Sequence, residues 1–145
     1  MRYFIYCRKS SEEEGKQLQS LETQERILTD YARLHSLDIV DIIKERKSAK
    51  TDGKRPKFSL MLDRLEKGDA DSILVIDTDR LTRNLVEGAK LLDMFAKGTL
   101  KEIRTRNMVY ASLESLNSLI DKIASATKYS RELQIRFWMV ILLSF

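Results

Sequence analysis

The chain has 145 residues, 43% hydrophobic and 33% charged, which fits one globular domain with a real core and excludes a disordered or fibrous chain. Lysine and arginine number 26 against 22 acidic residues, and the net charge of +4 permits contact with a polyanion without identifying one. A single cysteine, Cys7, and a single histidine, His35, exclude an internal disulfide and a His/Cys zinc site, so an intracellular, metal-free protein is the simplest reading.

Arg2 to Cys7 is a β-branched and aromatic run that predicts a buried strand, and it has no small-residue cleavage site of the kind a signal peptide carries. Gln19 to Ser36 follows with Leu21, Ile27, Leu28, Tyr31 and Leu34 at helical spacing, Ser20 as an imperfect N-cap, and His35 as a surface or cap residue. Asp38 to Lys44 predicts a second strand, and the polar stretch Glu45 to Arg55, with Gly53 and many lysines, predicts a loop. Pro56 opens a helix whose buried face is Phe58, Leu60, Met61, Leu62 and Leu65, with Gly68 ending it.

Ser72 to Asp77 is a short continuous apolar run, the pattern of a strand buried on both faces of a parallel sheet. A helix over Leu85 to Ala96 ends at Gly98, and Leu100 to Arg104 predicts another strand. The alternation of strands and helices argues for an α/β domain with a mostly parallel sheet. From Ser112 the pattern becomes one long amphipathic helix, with Leu113, Leu116, Leu119, Ile120, Ile123 and Ala124 at spacings of three and four, suited to packing on its own sheet or on a partner. Phe137 to Phe145 is almost wholly apolar but far shorter than the ~20 residues that span a bilayer.

Two predicted strand ends carry chemistry, and in open α/β sheets the carboxyl ends of strands are where ligands bind. The first runs into Tyr6, Cys7, Arg8, Lys9, Ser10 and Ser11, placing a cation two residues from a hydroxyl, and a serine needs nearby groups to lower the cost of its alkoxide. Ser10 and Ser11 read equally well as loop residues. The other runs into Asp77, Thr78, Asp79, Arg80, Leu81, Thr82, Arg83 and Asn84. A helical turn beginning near Asp79 would put Arg80 and Arg83 on one face as a phosphate clamp, while an aspartate cap followed by exposed arginines is the alternative.

Arg55, directly before Pro56, adds a third candidate cation. Gly53 and Lys54 do not make a nucleotide-binding loop, which weakens any reading as a nucleotide-holding module. Glu12 to Glu14 and the lysines at 44, 47, 50, 54 and 57 read as solvated faces, with the lysines also able to touch a DNA backbone.

In combination these pieces resemble the serine recombinases, the superfamily of resolvases, invertases and large serine integrases, and most of all the integrase branch. The resemblance rests on Tyr6-x-Arg8-x-Ser10, on Gln17 and then Ser20-Leu21-Glu22-x-Gln24, on Arg55-Pro56, and on Asp79-Arg80-Leu81-x-Arg83-Asn84, and covers roughly residues 2 to 132. It implies a resolvase-like three-layer domain over 1–110, an oligomerisation helix over 111–136 and an apolar tail over 137–145. Ser10 matches the family nucleophile, Arg8, Arg55, Arg80 and Arg83 its active-site arginines, and Asp79 the acid of the same cluster. Tyr6, Gln17 and Glu45 match supporting positions, Glu45 where many members have an acid after the second strand.

The implied activity is site-specific DNA cleavage and rejoining through a 5′-phosphoserine on Ser10, with no cofactor and no metal. Attack on a phosphodiester pushes negative charge onto the nonbridging oxygens, which preorganised guanidiniums can stabilise. The implied partners are DNA and further copies of the chain, as a homodimer and a synaptic homotetramer, with no membrane and a cytoplasmic setting. The long helix does not continue past Arg136 into a DNA-binding region, which suggests a truncated phage or mobile-element integrase. A catalytically silent remnant that only dimerises is the alternative.

Overall fold

The computed structural model describes residues 1–10, 20–47, 55–82, 85–127 and 138–143. In chain order these form β1 (Arg2–Ser10), α1 (Leu21–Leu34), β2 (Asp38–Lys47), α2 (Pro56–Glu66), β3 (Ser72–Val75), α3 (Thr78–Leu81), α4 (Leu85–Ala96), β4 (Glu102–Arg104), β5 (Val109–Tyr110) and α5 (Leu113–Thr127). The sheet has the order β2-β1-β3-β4-β5, parallel except for β5, which runs antiparallel at the edge. The α/β class and mostly parallel sheet expected from the sequence are therefore present.

The connection from β1 goes outward to β2 and the next returns across β1 to β3, so the order reverses between β1 and β3. That reversal opens a crevice at the carboxyl ends of the two strands, where an open α/β sheet places its ligand site. The helices follow the same reversal. Tyr3, Ile5, Cys7 and Leu74 face α1 through Leu21, Leu28 and Ala32. Phe4, Tyr6, Ile73 and Val75 face Phe58, Met61 and Leu65 of α2, Leu91 and Leu92 of α4, and Leu116, Leu119 and Ile120 of α5. Successive strand residues point to opposite faces, so one short strand serves both cores.

Helix ends follow the sequence closely. Ser20 caps α1, its hydroxyl accepting the Thr23 amide, and His35 closes that helix while stacking on Tyr31 at 4.0 Å. Gly68 and Gly98 take positive φ after α2 and α4, letting the following amides bond back to Arg64 and Met94. In α5, Leu116, Leu119 and Ile120 are buried in the chain's own core, whereas Glu114, Asn117, Ser118 and Asp121 face solvent. The helix is described to Thr127, and the expected continuation to residue 136 lies outside the described residues. Ile141, in the helical segment 138–143, joins the main core, while Met139, Val140, Leu142 and Leu143 remain exposed. No helix among the described residues is long and apolar enough to cross a membrane.

Some boundaries differ from the expectation. β1 extends beyond Cys7 to Ser10 and β2 beyond Lys44 to Lys47, because their parallel pairing continues through Arg8↔Glu45 and Ser10↔Lys47 although the residues are polar. β3 ends at Val75 rather than Asp77, since Asp77 turns to cap α3. β4 starts at Glu102 rather than Leu100, and β5, only two residues long, carries no readable pattern. Near its start β2 also holds a bulge. Tyr3 pairs with Ile39 and Phe4 with Asp41, leaving Val40 without a partner on β1.

Three buried acids weaken the fold in alkali. Burial pushes the Cys7 thiol up from 9.0 to about 12, and burial likewise raises Tyr3 and Tyr6 well above the ordinary tyrosine range, helped by their hydrogen bonds to Glu102 and Glu45. Groups whose folded pKa is raised contribute stability that is complete below the unfolded pKa and lost as pH rises toward the folded one. Urea midpoints should therefore hold up to about pH 9 and fall steadily between about pH 9 and 12. A midpoint unchanged at pH 11 would contradict this account.

Candidate active site

The end of β1 is fastened from two sides. Pairing with β3 stops at Tyr6↔Val75. Two residues on, the amide and carbonyl of Arg8 are taken by the side-chain amide of Gln24, at 3.3 and 3.0 Å, so a buried glutamine of α1 substitutes for the missing strand. The Arg8 side chain, 1% exposed, crosses to α3, where Nε donates to the Arg80 carbonyl at 3.0 Å and Nη2 to the Asp79 carbonyl at 2.7 Å. Arg80 answers in kind, its Nη1 donating to the Arg8 carbonyl at 3.3 Å.

α3 is a single turn with Asp77 as N-cap, the carboxylate accepting the Arg80 amide at 3.2 Å and lying 3.8 Å from Arg80 Nε. A helix leaves its last carbonyls without internal partners, and their partial negative charge favours cations. Here arginines supply the donors. Besides Arg8, the buried Arg55 donates Nη1 to the Leu81 carbonyl at 2.8 Å and to the Arg80 carbonyl at 3.3 Å. On the other side of α3, Lys122 of α5 donates to Thr78 Oγ1 at 3.3 Å.

Arg55 lies over Phe58, its guanidinium carbon 3.9 Å from the ring centroid, and its Nη2 forms an ion pair with Glu87 of α4. As the N-cap of α2 it provides no side-chain cap of its own, and Pro56 has no amide to satisfy. Glu45 of β2, 3% exposed, does the capping from the neighbouring strand. Its carboxylate accepts the amides of Lys57 at 2.9 Å and Phe58 at 3.1 Å, and the Tyr6 hydroxyl at 2.7 Å. The Tyr6 hydroxyl in turn accepts from Arg55 Nη1 at 3.4 Å. Three guanidiniums, from β1, the start of α2 and α3, thus converge at the β1/β3 crevice, and Ser10 ends β1 two positions after Arg8.

A model of the family described as Resolvase, N terminal domain, matches residues 3–135. The chain belongs to the resolvase family. It is a serine-recombinase N-terminal catalytic domain, a site-specific recombinase enzyme. Its fold matches the N-terminal catalytic domain of TP901-1 integrase with a TM-score of 0.68 at 21% identity, over 92% of this chain and 98% of that one. It also matches a resolvase family site-specific recombinase from Streptococcus pneumoniae, TM-score 0.64 at 17% identity, over 100% and 99% of the two chains. A third match is the C-terminal catalytic domain of an IS607-like serine recombinase, TM-score 0.56 at 23% identity, over 99% and 98%.

For this resolvase-family chain the structure brings together Arg8, Arg55, Arg80, Tyr6 and Glu45 of the residues singled out in the sequence. Gln17 and Arg83 lie outside the described residues, as do Ser11 and Asn84, and of Ser10 only the backbone is described. Two details come from the structure alone. The turn begins at Thr78, next to Asp79, and closes at Leu81 with Thr82 extended. Asp79 is exposed and offers Arg8 its carbonyl, while the carboxylate beside Arg80 Nε is that of Asp77, because the capping position aims it back into the turn.

Two further polar residues of the site, Gln24 and Glu87, escaped the sequence reading as site residues. Gln24 stood within a family motif. Glu87 had no signal beyond being an acid in the first turn of a helix. Replacing Glu45 tests the network directly. Glu45→Ala strips the acceptor from a buried hydroxyl and two amides and should cost roughly 2–4 kcal/mol in urea unfolding, while Glu45→Gln, which keeps one oxygen, should cost less than half of that. Equal stability of Glu45→Ala and the wild type would show that the network carries no weight.

Proposed function

We propose that this chain cleaves and rejoins DNA at specific sites through a covalent 5′-phosphoserine on Ser10. The observation that carries the reading is the convergence of three guanidiniums where β1 meets α3, those of Arg8 and Arg55 on the carbonyl end of α3 and that of Arg80 on the Arg8 carbonyl, in the strand that ends in Ser10. The Ser10 hydroxyl attacks the scissile phosphorus, a P–O bond to the 5′ phosphate forms, and the bond to the 3′ oxygen breaks, releasing a 3′ hydroxyl. The ester keeps the bond energy, so the reverse attack by a 3′ hydroxyl rejoins strands without ATP. Guanidiniums fixed before the reaction begins stabilise the charge that gathers on the nonbridging oxygens. Arg83 and Asp79 complete the cluster in this reading, with Tyr6, Glu45 and Gln17 in support.

The same reading makes DNA the partner and places the protein in the cytoplasm, acting as a homodimer that pairs into a synaptic homotetramer through the helix over 111–136. Within α5, Leu116, Leu119 and Ile120 are taken by the chain's own core, whereas Met139, Val140, Leu142 and Leu143 of the segment 138–143 form a run of exposed apolar residues open to a second copy. The test uses a pool of end-labelled duplexes of random sequence at high protein concentration, resolved on a denaturing gel. A protein–DNA adduct should form, vanish in Ser10→Ala and persist in Ser11→Ala. Arg8→Ala and Arg80→Ala should each slow its formation by about 10²–10³-fold. An adduct that survives Ser10→Ala would sink the assignment.

A further inference from the structure

Arg55 enters the site from the N-cap of α2, at the end of the 48–54 segment, and its aim depends on what its side chain meets. Phe58 gives the guanidinium a flat seat and the Leu81 carbonyl fixes Nη1. The opposite end, Nη2, meets the Glu87 carboxylate, and the pair is largely withdrawn from water, with side chains 6% and 23% exposed. The second Glu87 oxygen, Oε1, lies 3.4 Å from Thr82 Oγ1. Thr82, itself buried, is the residue that closes α3. One carboxylate thus holds the cation arriving from α2 with one oxygen and, with the other, the hydroxyl of the residue that closes α3.

Electrostatics gives this carboxylate a purpose. Arg8 and Arg55 donate to the same Arg80 carbonyl, and like charges brought this close repel strongly where water is scarce. A carboxylate on the far side of Arg55 offsets that repulsion and fixes the angle at which the guanidinium is presented. Bidentate-capable, planar guanidinium groups owe their selectivity to such angles.

We propose that Glu87 is a positioning residue for DNA cleavage, acting through Arg55 and Thr82 rather than by touching DNA. This rests on the reading of Ser10 as the nucleophile. The full chain and its isosteric variant E87Q are compared in the adduct assay, with exchange of the Arg55 guanidinium protons followed by ¹⁵N NMR and the signal identified by its loss in R55K. E87Q should form the adduct about 10–100-fold more slowly at saturating DNA, with DNA affinity within about twofold of wild type. It should also speed exchange of the Arg55 protons at least about tenfold, and E87D, which keeps the charge, should recover most of both effects. Adduct formation by E87Q within about twofold of wild type overturns the proposal, as does slowed formation with Arg55 exchange unchanged. Absence of adduct from the wild-type chain overturns the cleavage reading instead, and the hold of Glu87 on Arg55 then stands or falls on the exchange rate alone.

Discussion

Two arginines hold each other by their backbones. Arg8 donates its side chain to the Arg80 carbonyl while Arg80 donates its own to the Arg8 carbonyl, and this exchange ties the end of β1 to the turn that follows β3. The rest of the site hangs from that tie. Gln24 secures the same Arg8 peptide from α1, Arg55 adds donors from the start of α2, and Lys122 reaches the first residue of α3 from α5. Three elements, β1, α2 and α5, therefore meet at one four-residue turn, and α1 joins them through the Arg8 peptide. The carbonyls of Asp79, Arg80 and Leu81 act as acceptors for Arg8 and Arg55, while the amide of Thr82 that closes the turn bonds back to the Thr78 carbonyl.

The choice of partner matters as much as the number. A guanidinium bound to carbonyl dipoles is satisfied as a donor yet keeps its full positive charge, whereas one bound to a carboxylate is largely neutralised. Arg8 is held by two carbonyls in this way. The acids around the cluster, Asp77, Glu45 and Glu87, each work first on the scaffold, as a cap of α3, a cap of α2 and an anchor for Arg55. Fixed donors in a site sheltered from water can stabilise developing charge without rearranging. The architecture is well suited to a phosphate group in transit.

Much of the fold was legible in the sequence because its signals are local. Apolar runs mark β1 and β3, and Gly68 and Gly98 mark the ends of α2 and α4 by the conformation they adopt. The motif residues Arg8, Arg55 and Arg80 stood out by spacing and by their places at strand and helix ends. What stayed hidden depends on neighbours distant in the chain. Glu45 sits in a polar run that reads as loop, and it becomes strand only because β1 pairs with it. Asp77 and Asp79 are equivalent acids on paper, and only the cap geometry decides which one turns toward Arg80. Glu87 looks like any acid at a helix start until Arg55 is seen beside it.

The bulge at Val40 governs a region it does not touch. Were Val40 paired in turn, Tyr6 would lie opposite Ile42 and Arg8 opposite Lys44, setting cation beside cation and carrying Glu45 to the α1 side of the sheet. The extra residue shifts the alternation of β2 by one step before the chemistry begins. Removing it would leave every pairing from Asp41 onward as it stands. The start of β2 therefore works as a phase adjuster: chain length can drift by a residue there, and the tyrosine–glutamate contact five positions downstream keeps its alignment.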